Sequence, residues 1–143
     1  MNLEELKVQV ARDLPIKDDA NLATEALHNQ ELLAKYLNYK TNFELLMHKS
    51  KGEYKRLYRD KWEYYGGKSD AKIYAAKPFD IKVLKTDLGV YINSDEDIIN
   101  IELKIEYYET LLQFIDGIIK SIDNRSWDIK HAQDWKKFVA GGF

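Results

Sequence analysis

The chain has 143 residues, with 22 basic and 24 acidic side chains for a formal net charge of −2, two prolines, seven glycines and no cysteine. These totals fit one domain with a modest core, and they exclude a disulfide framework, a thiolate metal site and a loop-rich or disordered chain. No stretch approaches the roughly 18 apolar residues of a membrane span, and the acidic opening Met-Asn-Leu-Glu-Glu-Leu-Lys is unlike a secretory signal, so a soluble intracellular protein is expected.

Asn2 is placed to cap a first helix carrying Leu3, Leu6, Val10 and Leu14 on one face, and Pro15, which lacks an N–H, ends it. Asp18, Asp19 and Asn21 offer caps for a long second helix from about Asp19 to Tyr65. Its apolar residues Leu22, Ala26, Leu33, Tyr36, Leu37, Phe43, Leu46 and Met47 recur mainly at three- and four-residue spacing. Gly52 falls inside this run as a kink position, at a cost of about 1 kcal/mol against alanine. Gly66-Gly67-Lys68-Ser69-Asp70 breaks the pattern and reads as a loop.

Periodicity is poor over residues 78–92. An irregular or β-hairpin-like segment is expected there, with Ile81-Lys82-Val83-Leu84-Lys85 and Gly89-Val90-Tyr91-Ile92 as short strands about a turn at Asp87-Leu88. Ser94-Asp95-Glu96-Asp97 then supplies an N-cap and a first turn of acids to a strongly periodic helix running from Ile98 to Ile122. A separate final helix is expected from about Ser126 to Ala140, stopping at Gly141-Gly142. The predicted fold class is mainly α, in a single domain over residues 1–143.

Charge is laid out unevenly along these elements. Residues 1–34 carry three basic and seven acidic groups, residues 35–85 thirteen and six, and residues 86–143 six and eleven. The basic block also holds Tyr54, Tyr58, Trp62, Tyr64 and Tyr65. At about 100° per residue, Tyr54, Tyr58, Trp62 and Tyr65 fall within roughly 80° of one another. Lys51, Lys55 and Arg59 make a second row beside them, with Lys61 near the aromatic face. Aromatic platforms beside cations are what a single-stranded nucleic acid requires, because every base has a π-face and the backbone is charged. The same stripe also continues back through Phe43, Met47 and Tyr36, so the residues alone favour packing of a helix interface with a solvated basic flank, with nucleic-acid contact as the alternative.

Other motifs carry less. Gly67-Lys68-Ser69 imitates the end of a phosphate-binding loop, but Trp62 stands where that motif needs a glycine and a helix precedes it where a strand is required. Asp95, Glu96 and Asp97 point in different directions on a helix, which suits capping and not a cation. His28, His48 and His131 lack metal-ligand spacing, and no catalytic constellation assembles, so no cofactor or metal is expected. The last helix carries Trp127, Ile129, Trp135 and Phe138, more large apolar surface than a small core needs. Self-association through residues about 95–140 is the leading reading, with docking onto the chain's own core as its alternative.

Taken in order, these segments resemble the UvsY-type recombination mediator proteins of T-even-like phages. The opening match is Leu3-Glu4-Glu5-Leu6 with Asp13 and Ile16, followed by Glu25-Ala26, Asn29 and Lys35-Tyr36-Leu37-Asn38. The central match is Arg59, Lys61, Trp62, Glu63, Tyr64-Tyr65, Gly67-Lys68 and Asp70. The most specific match is Ile122, Arg125, Ile129-Lys130-His131, Gln133-Asp134, Phe138 and Ala140-Gly141.

The resemblance implies a protein that is not an enzyme. It implies binding of single-stranded DNA covered by a single-strand-binding protein, and loading of a RecA-like phage recombinase onto that DNA in the cytoplasm of the infected bacterial host. It also implies a ring-shaped homo-oligomer, a hexamer or heptamer, with no membrane role. The basic pair ahead of the tyrosines, the family's DNA-contact element, corresponds to Arg59 and Lys61 in a helix and loop at about 49–72. Asp60 departs from the small neutral residue the family often has there, so Lys55, Arg56 and Lys68 are expected to share the role, with Tyr58, Trp62 and Tyr65 for stacking. The alternative is a structural helical oligomer or assembly adaptor that does not bind DNA.

Overall fold

Asn2 starts the first helix as predicted. Its side chain accepts a hydrogen bond from the Glu5 N–H at 2.8 Å, and the Glu5 carboxylate accepts one from the Asn2 N–H at 3.2 Å, a reciprocal capping box. The computed structural model describes residues 1–141; Gly142, half of the expected final helix stop, lies outside the described residues. Helix α1 spans Leu3–Asp13, α2 Leu22–Tyr65, α3 Ala71–Ala76, α4 Leu88–Asn93 and α5 Glu96–Val139, with a 3-10 turn at Asp19–Asn21 before α2. The chain is mainly helical, and no strand occurs among the described residues.

The predicted second helix therefore begins three residues late. Asp18 caps the 3-10 turn through the Ala20 N–H (3.1 Å), and Asn21 then accepts from the Thr24 N–H at 3.4 Å. The helix continues through Gly52 without interruption and ends at a Schellman motif. There the Lys68 N–H reaches the Glu63 carbonyl at 2.8 Å and the Gly67 N–H the Tyr64 carbonyl at 3.3 Å. Gly67 has φ +75°, a conformation other residues resist. A Cβ on Gly66 would lie 2.8 Å from the Trp62 carbonyl oxygen. The paired glycines are thus required by the turn.

Two expectations need correction. The segment 78–92 contains no hairpin: residues 78–84 have no regular structure, and α4 replaces the second expected strand. In a strand Leu88, Val90 and Ile92 would share a face; instead Leu88 and Ile92 are buried while Val90 is 68% exposed, which is helical spacing. The loop expected at residues 66–70 is present, and the residues after it, for which no element was expected, form the short helix α3. The helices expected at 95–122 and 126–140 are one continuous α5. Asp123-Asn124-Arg125-Ser126 looks like a break, yet Arg125 lies on the buried row Ile122–Arg125–Ile129 and carries the helix through.

The chain divides into two compact units, Met1–Phe43 with Thr110–Phe143, and Glu44–Glu109, so α2 and α5 each contribute to both. The spacing along each helix marks the same boundary. Inward positions of α2 alternate steps of three and four from Leu22 to Phe43, and again from Met47 to Tyr64. The two runs are joined by a step of four, Phe43 to Met47, where three is due. In α5, Ile98–Ile101–Ile105–Tyr108 is joined to Leu111–Ile115–Ile118–Ile122 by a step of three where four is due. Each lapse shifts the phase of a 3.5-residue repeat, as a stutter or stammer does.

In the first unit Leu6, Leu32, Tyr36, Leu111, Ile115, Ile122 and Ile129 form the core. Arg125, 4% exposed, ties it together. Its Nε donates to the Leu14 carbonyl at 2.9 Å and its Nη1 to the Glu25 carbonyl at 2.7 Å, while the guanidinium also bonds Asn29 Oδ1 and the Glu25 carboxylate. Asn29 in turn donates to Ser126 Oγ at 2.7 Å. Beside this, Asp13 accepts from Lys35 at 2.5 Å and from the Tyr36 hydroxyl at 3.0 Å. In the second unit Leu88, Ile92 and Ile98 form the core, with Tyr54, Leu57, Tyr58, Tyr65 and Val83 packed against it. Tyr64 stacks on Tyr74 of α3, centroids 5.5 Å apart, and donates to the Lys77 carbonyl at 3.0 Å, which fixes α3.

Replacing Arg125 with leucine strands the Glu25 carboxylate and Asn29 without their cation, and the expected loss is about 3–5 kcal/mol in urea unfolding. Burial opposes the charge on Asp13, but the Lys35 ammonium and Tyr36 hydroxyl overcome it and hold the carboxyl below its ordinary value. A carboxylate with a depressed folded-state pKa stabilises the fold above its unfolded pKa, and that contribution is lost as pH falls through the folded value. The melting temperature should therefore drop most steeply below about pH 4, and Asp13→Asn should flatten that acid limb while lowering the plateau.

Candidate nucleic-acid interface

Helix α2 between Lys51 and Tyr65 presents two faces of different chemistry. Lys55, Arg59 and Trp62 stand at i, i+4 and i+7 and share the outward side, with Arg56 at its edge; all four are exposed. Arg59 is 69% exposed along its side chain, and its one ion pair among the described residues is to the adjacent Asp60, at 3.8 Å. An exposed pair at that distance contributes little. Among the described residues no ion pair holds Lys55, Arg56 or Lys68. The Schellman turn brings Lys68 back over Trp62, with its ammonium 4.3 Å from the ring centroid, a cation–π contact. Four cations and one exposed indole are thus assembled by a single helix and the turn that ends it.

Lys61 is not among them. Two residues from Arg59, it is turned about 200° away. It lies on the inward side with its side chain only 13% exposed, 2.8 Å from Asp97 and 3.3 Å from Asp95 at the start of α5. Asp95, itself buried, also accepts from the Tyr65 hydroxyl at 2.5 Å and caps α5 through the Asp97 N–H at 2.9 Å. Burial works against the charges here. The Tyr65 hydroxyl, the Asp97 N–H and Lys61 nonetheless hold Asp95 below its usual carboxylate value, and the two carboxylates hold Lys61 above its usual one. Burial and Asp95 together push the Tyr65 hydroxyl far up.

The expected aromatic platform divides in the same way. Tyr58 and Tyr65 pack on the core of the second unit, and Tyr65 meets Phe79 and Tyr91 at 5.0 and 5.7 Å. Trp62 alone of the named stacking residues lies outside. Lys72 on α3 and Lys77 just after it are also exposed; Lys77 reaches to 5.9 Å from the Tyr64 ring.

The C-terminal candidates also separate. Trp127, Trp135 and Phe138 are exposed, Trp135 at 65%, and Trp135 stacks on Phe138 at 5.6 Å. Lys130 lies 5.2 Å over the Trp127 ring. Ile129 is fully inside the first unit. Among the described residues no three His, Cys, Asp or Glu side chains gather to hold a metal ion, and no helix is long and apolar enough to cross a membrane.

A family model described as recombination, repair and single-stranded-DNA-binding protein UvsY matches residues 9–142. The recombination protein uvsY of Enterobacteria phage T4 is 28% identical over 141 residues, covering 99% of each chain. Two crystal structures of the bacteriophage T4 recombination mediator protein UvsY are similar throughout. One has a TM-score of 0.84 at 27% identity over 98% of both chains; the other scores 0.83 at 26% identity over 97% of this chain and 99% of that one.

The two faces of α2 predict different outcomes for neighbouring cations. Lys61→Ala leaves Asp95 without its cation beside Tyr65, and should lower unfolding free energy by about 1–3 kcal/mol. Arg59→Ala should stay within about 0.5 kcal/mol of the parent. Equal urea midpoints for the two variants would contradict this placement.

Proposed function

The chain belongs to the UvsY family of recombination, repair and single-stranded-DNA-binding proteins, and from that premise we propose how it performs the work of a recombination mediator. It binds single-stranded DNA coated with a single-strand-binding protein and promotes loading of a RecA-like recombinase, without catalysing a reaction itself, in the cytoplasm of an infected bacterial host. The observation that carries this reading is the outward face of Lys55, Arg56, Arg59 and Lys68 around Trp62, where exposed cations gather beside an exposed indole. Phosphates are held by the cations, and a base stacks on Trp62, worth about 1–3 kcal/mol. Lys61, Tyr58 and Tyr65 serve the site by fixing the helix that presents this face.

We read the chain as one domain because α2 and α5 run unbroken through both units. The exposed Trp127, Trp135 and Phe138 supply a surface for assembly into a ring of six or seven copies, whereas Ile129 supports that helix from inside. A ring repeats a weak single-strand site, and each further contact becomes intramolecular, so the assembly binds far more tightly than one copy. The acidic segments on either side stay off the DNA and meet the partner proteins.

Titration of a labelled single-stranded oligonucleotide at several salt concentrations tests the DNA face. Affinity should fall with salt at a log–log slope of about −0.7 per neutralised phosphate. Lys55→Ala/Arg59→Ala should shallow that slope by roughly 1.4 and leave the melting temperature unchanged. Binding without salt sensitivity, or none at all, would favour an assembly adaptor instead. Trp135→Glu/Phe138→Glu should lower the particle mass in light scattering, and an unchanged mass would remove those residues from the interface.

A further inference from the structure

A second outward surface in the unit Glu44–Glu109 has a complementary chemistry. Along α5, Ile99, Leu103 and Tyr107 follow one another at i, i+4 and i+8 and form an exposed apolar ridge, with Leu103 at 56%. Glu102, Glu106 and Glu109 flank it at a spacing of four and three residues. Tyr54, Ile105 and Lys51 complete a shallow groove of about 350 Å³ beside these glutamates. Burial, then the Glu102 carboxylate, raises the Tyr54 hydroxyl, which ties the groove floor to the acidic row. At a rise of about 1.5 Å per residue the acids follow one another at about 6 and 4.5 Å, a row of negative charge beside apolar surface.

The chain itself contains the matching surface. Lys55, Arg59 and Trp62 have the same four-then-three spacing, and Gly52 one turn earlier leaves a notch: a Cβ there would meet only the Arg56 guanidinium, at 3.9 Å. Lys55 and Arg59, four residues apart, meet two of the glutamates at the same step, while the notch and the indole receive Leu103 and its neighbours. The charge of the two blocks points the same way, with thirteen basic and six acidic groups over residues 35–85 against six and eleven over residues 86–143. Complementary fields of this kind set which surfaces meet.

We propose that the Ile99–Leu103–Tyr107 face of α5, with its glutamates, docks on the Lys55–Arg59–Trp62 face of α2 in a second copy of this chain and occupies the single-strand surface until DNA displaces it. The inference rests on the reading of that α2 face as the DNA site. The glutamate row takes the place of phosphates and the apolar ridge the place of bases, so a strand and a neighbouring copy compete for the same cations. In this arrangement DNA is taken up by exchange and not onto a bare surface.

The chain has no cysteine, which makes the test clean. Arg59→Cys and Glu109→Cys are made as separate variants, matched for melting temperature, mixed at low salt and treated with a short bis-maleimide. Either sense of helix packing brings position 59 within about a turn of position 109. The mixture should yield several-fold more cross-linked dimer than either variant alone, and saturating single-stranded oligonucleotide should lower that yield several-fold. A mixture that cross-links no better than the single variants overturns the docking. A product that persists while oligonucleotide is bound in the same tube overturns the competition. If the unmodified chain binds no oligonucleotide in a parallel titration, the DNA reading has failed and the inference with it, a result distinct from the other two.

Discussion

The buried guanidinium of Arg125 is the constraint on which the first unit depends. A charge removed from water is tolerated only when its donors are met, and here four acceptors from two segments meet them: the Leu14 carbonyl at the end of α1, and the Glu25 carbonyl, the Glu25 carboxylate and Asn29 on α2. The contact fixes where α1 ends, because the Leu14 carbonyl lies at its C-terminus. It also explains the unbroken α5, since the guanidinium finds its partners from a helical position between Ile122 and Ile129. With that side of α5 committed inward, Trp127, Trp135 and Phe138 are left on the outside.

The second unit repeats the device with Lys61. Its ammonium joins Asp95 and Asp97 at the start of α5 while Tyr65 completes the satisfaction of Asp95. This clamp decides which way α2 faces over residues 55–62. With Lys61 and Tyr65 turned in, helical geometry turns Lys55, Arg59 and Trp62 out. Of the pair Arg59 and Lys61, only Arg59 is presented to solvent, while Lys61 is held in the ion pairs with Asp95 and Asp97.

Features closed by local bonds were legible from residues alone: the Asn2 capping box, the glycine pair after Tyr65 and the acidic cap of α5 each need only neighbours in the chain. What was misread depended on distant partners. Gly89-Val90-Tyr91-Ile92 has strand propensity, but burial of Leu88 and Ile92 together favours a helix. Asp123 to Ser126 has turn propensity, and the acceptors that hold Arg125 in a helix lie about 100 residues away in sequence. The aromatic stripe carried the correct period, yet period alone does not separate a stacking platform from a core. Tyr58 and Tyr65 belong to the core and Trp62 to the surface because α4 and α5 cover only part of the stripe. The burial of Lys61 had no local signal at all, since its two partners stand 34 and 36 residues onward.

A net charge of −2 would seem to disfavour DNA, and the distance over which charge acts resolves this. At physiological salt, fields are screened within about 8 Å. A strand lying on Lys55, Arg56, Arg59 and Lys68 therefore senses those cations and little of the acids elsewhere. Beyond that range the net charge of −2 is screened as well, so a lone copy gains little from long-range attraction. On the proposed reading, affinity comes from many short-range contacts made together, and a closed array of such faces multiplies what one face of four cations supplies. Local basic surface on an acidic subunit is thus the arrangement that the proposed assembly calls for: one face alone binds weakly, and several faces engaging a strand at once hold it.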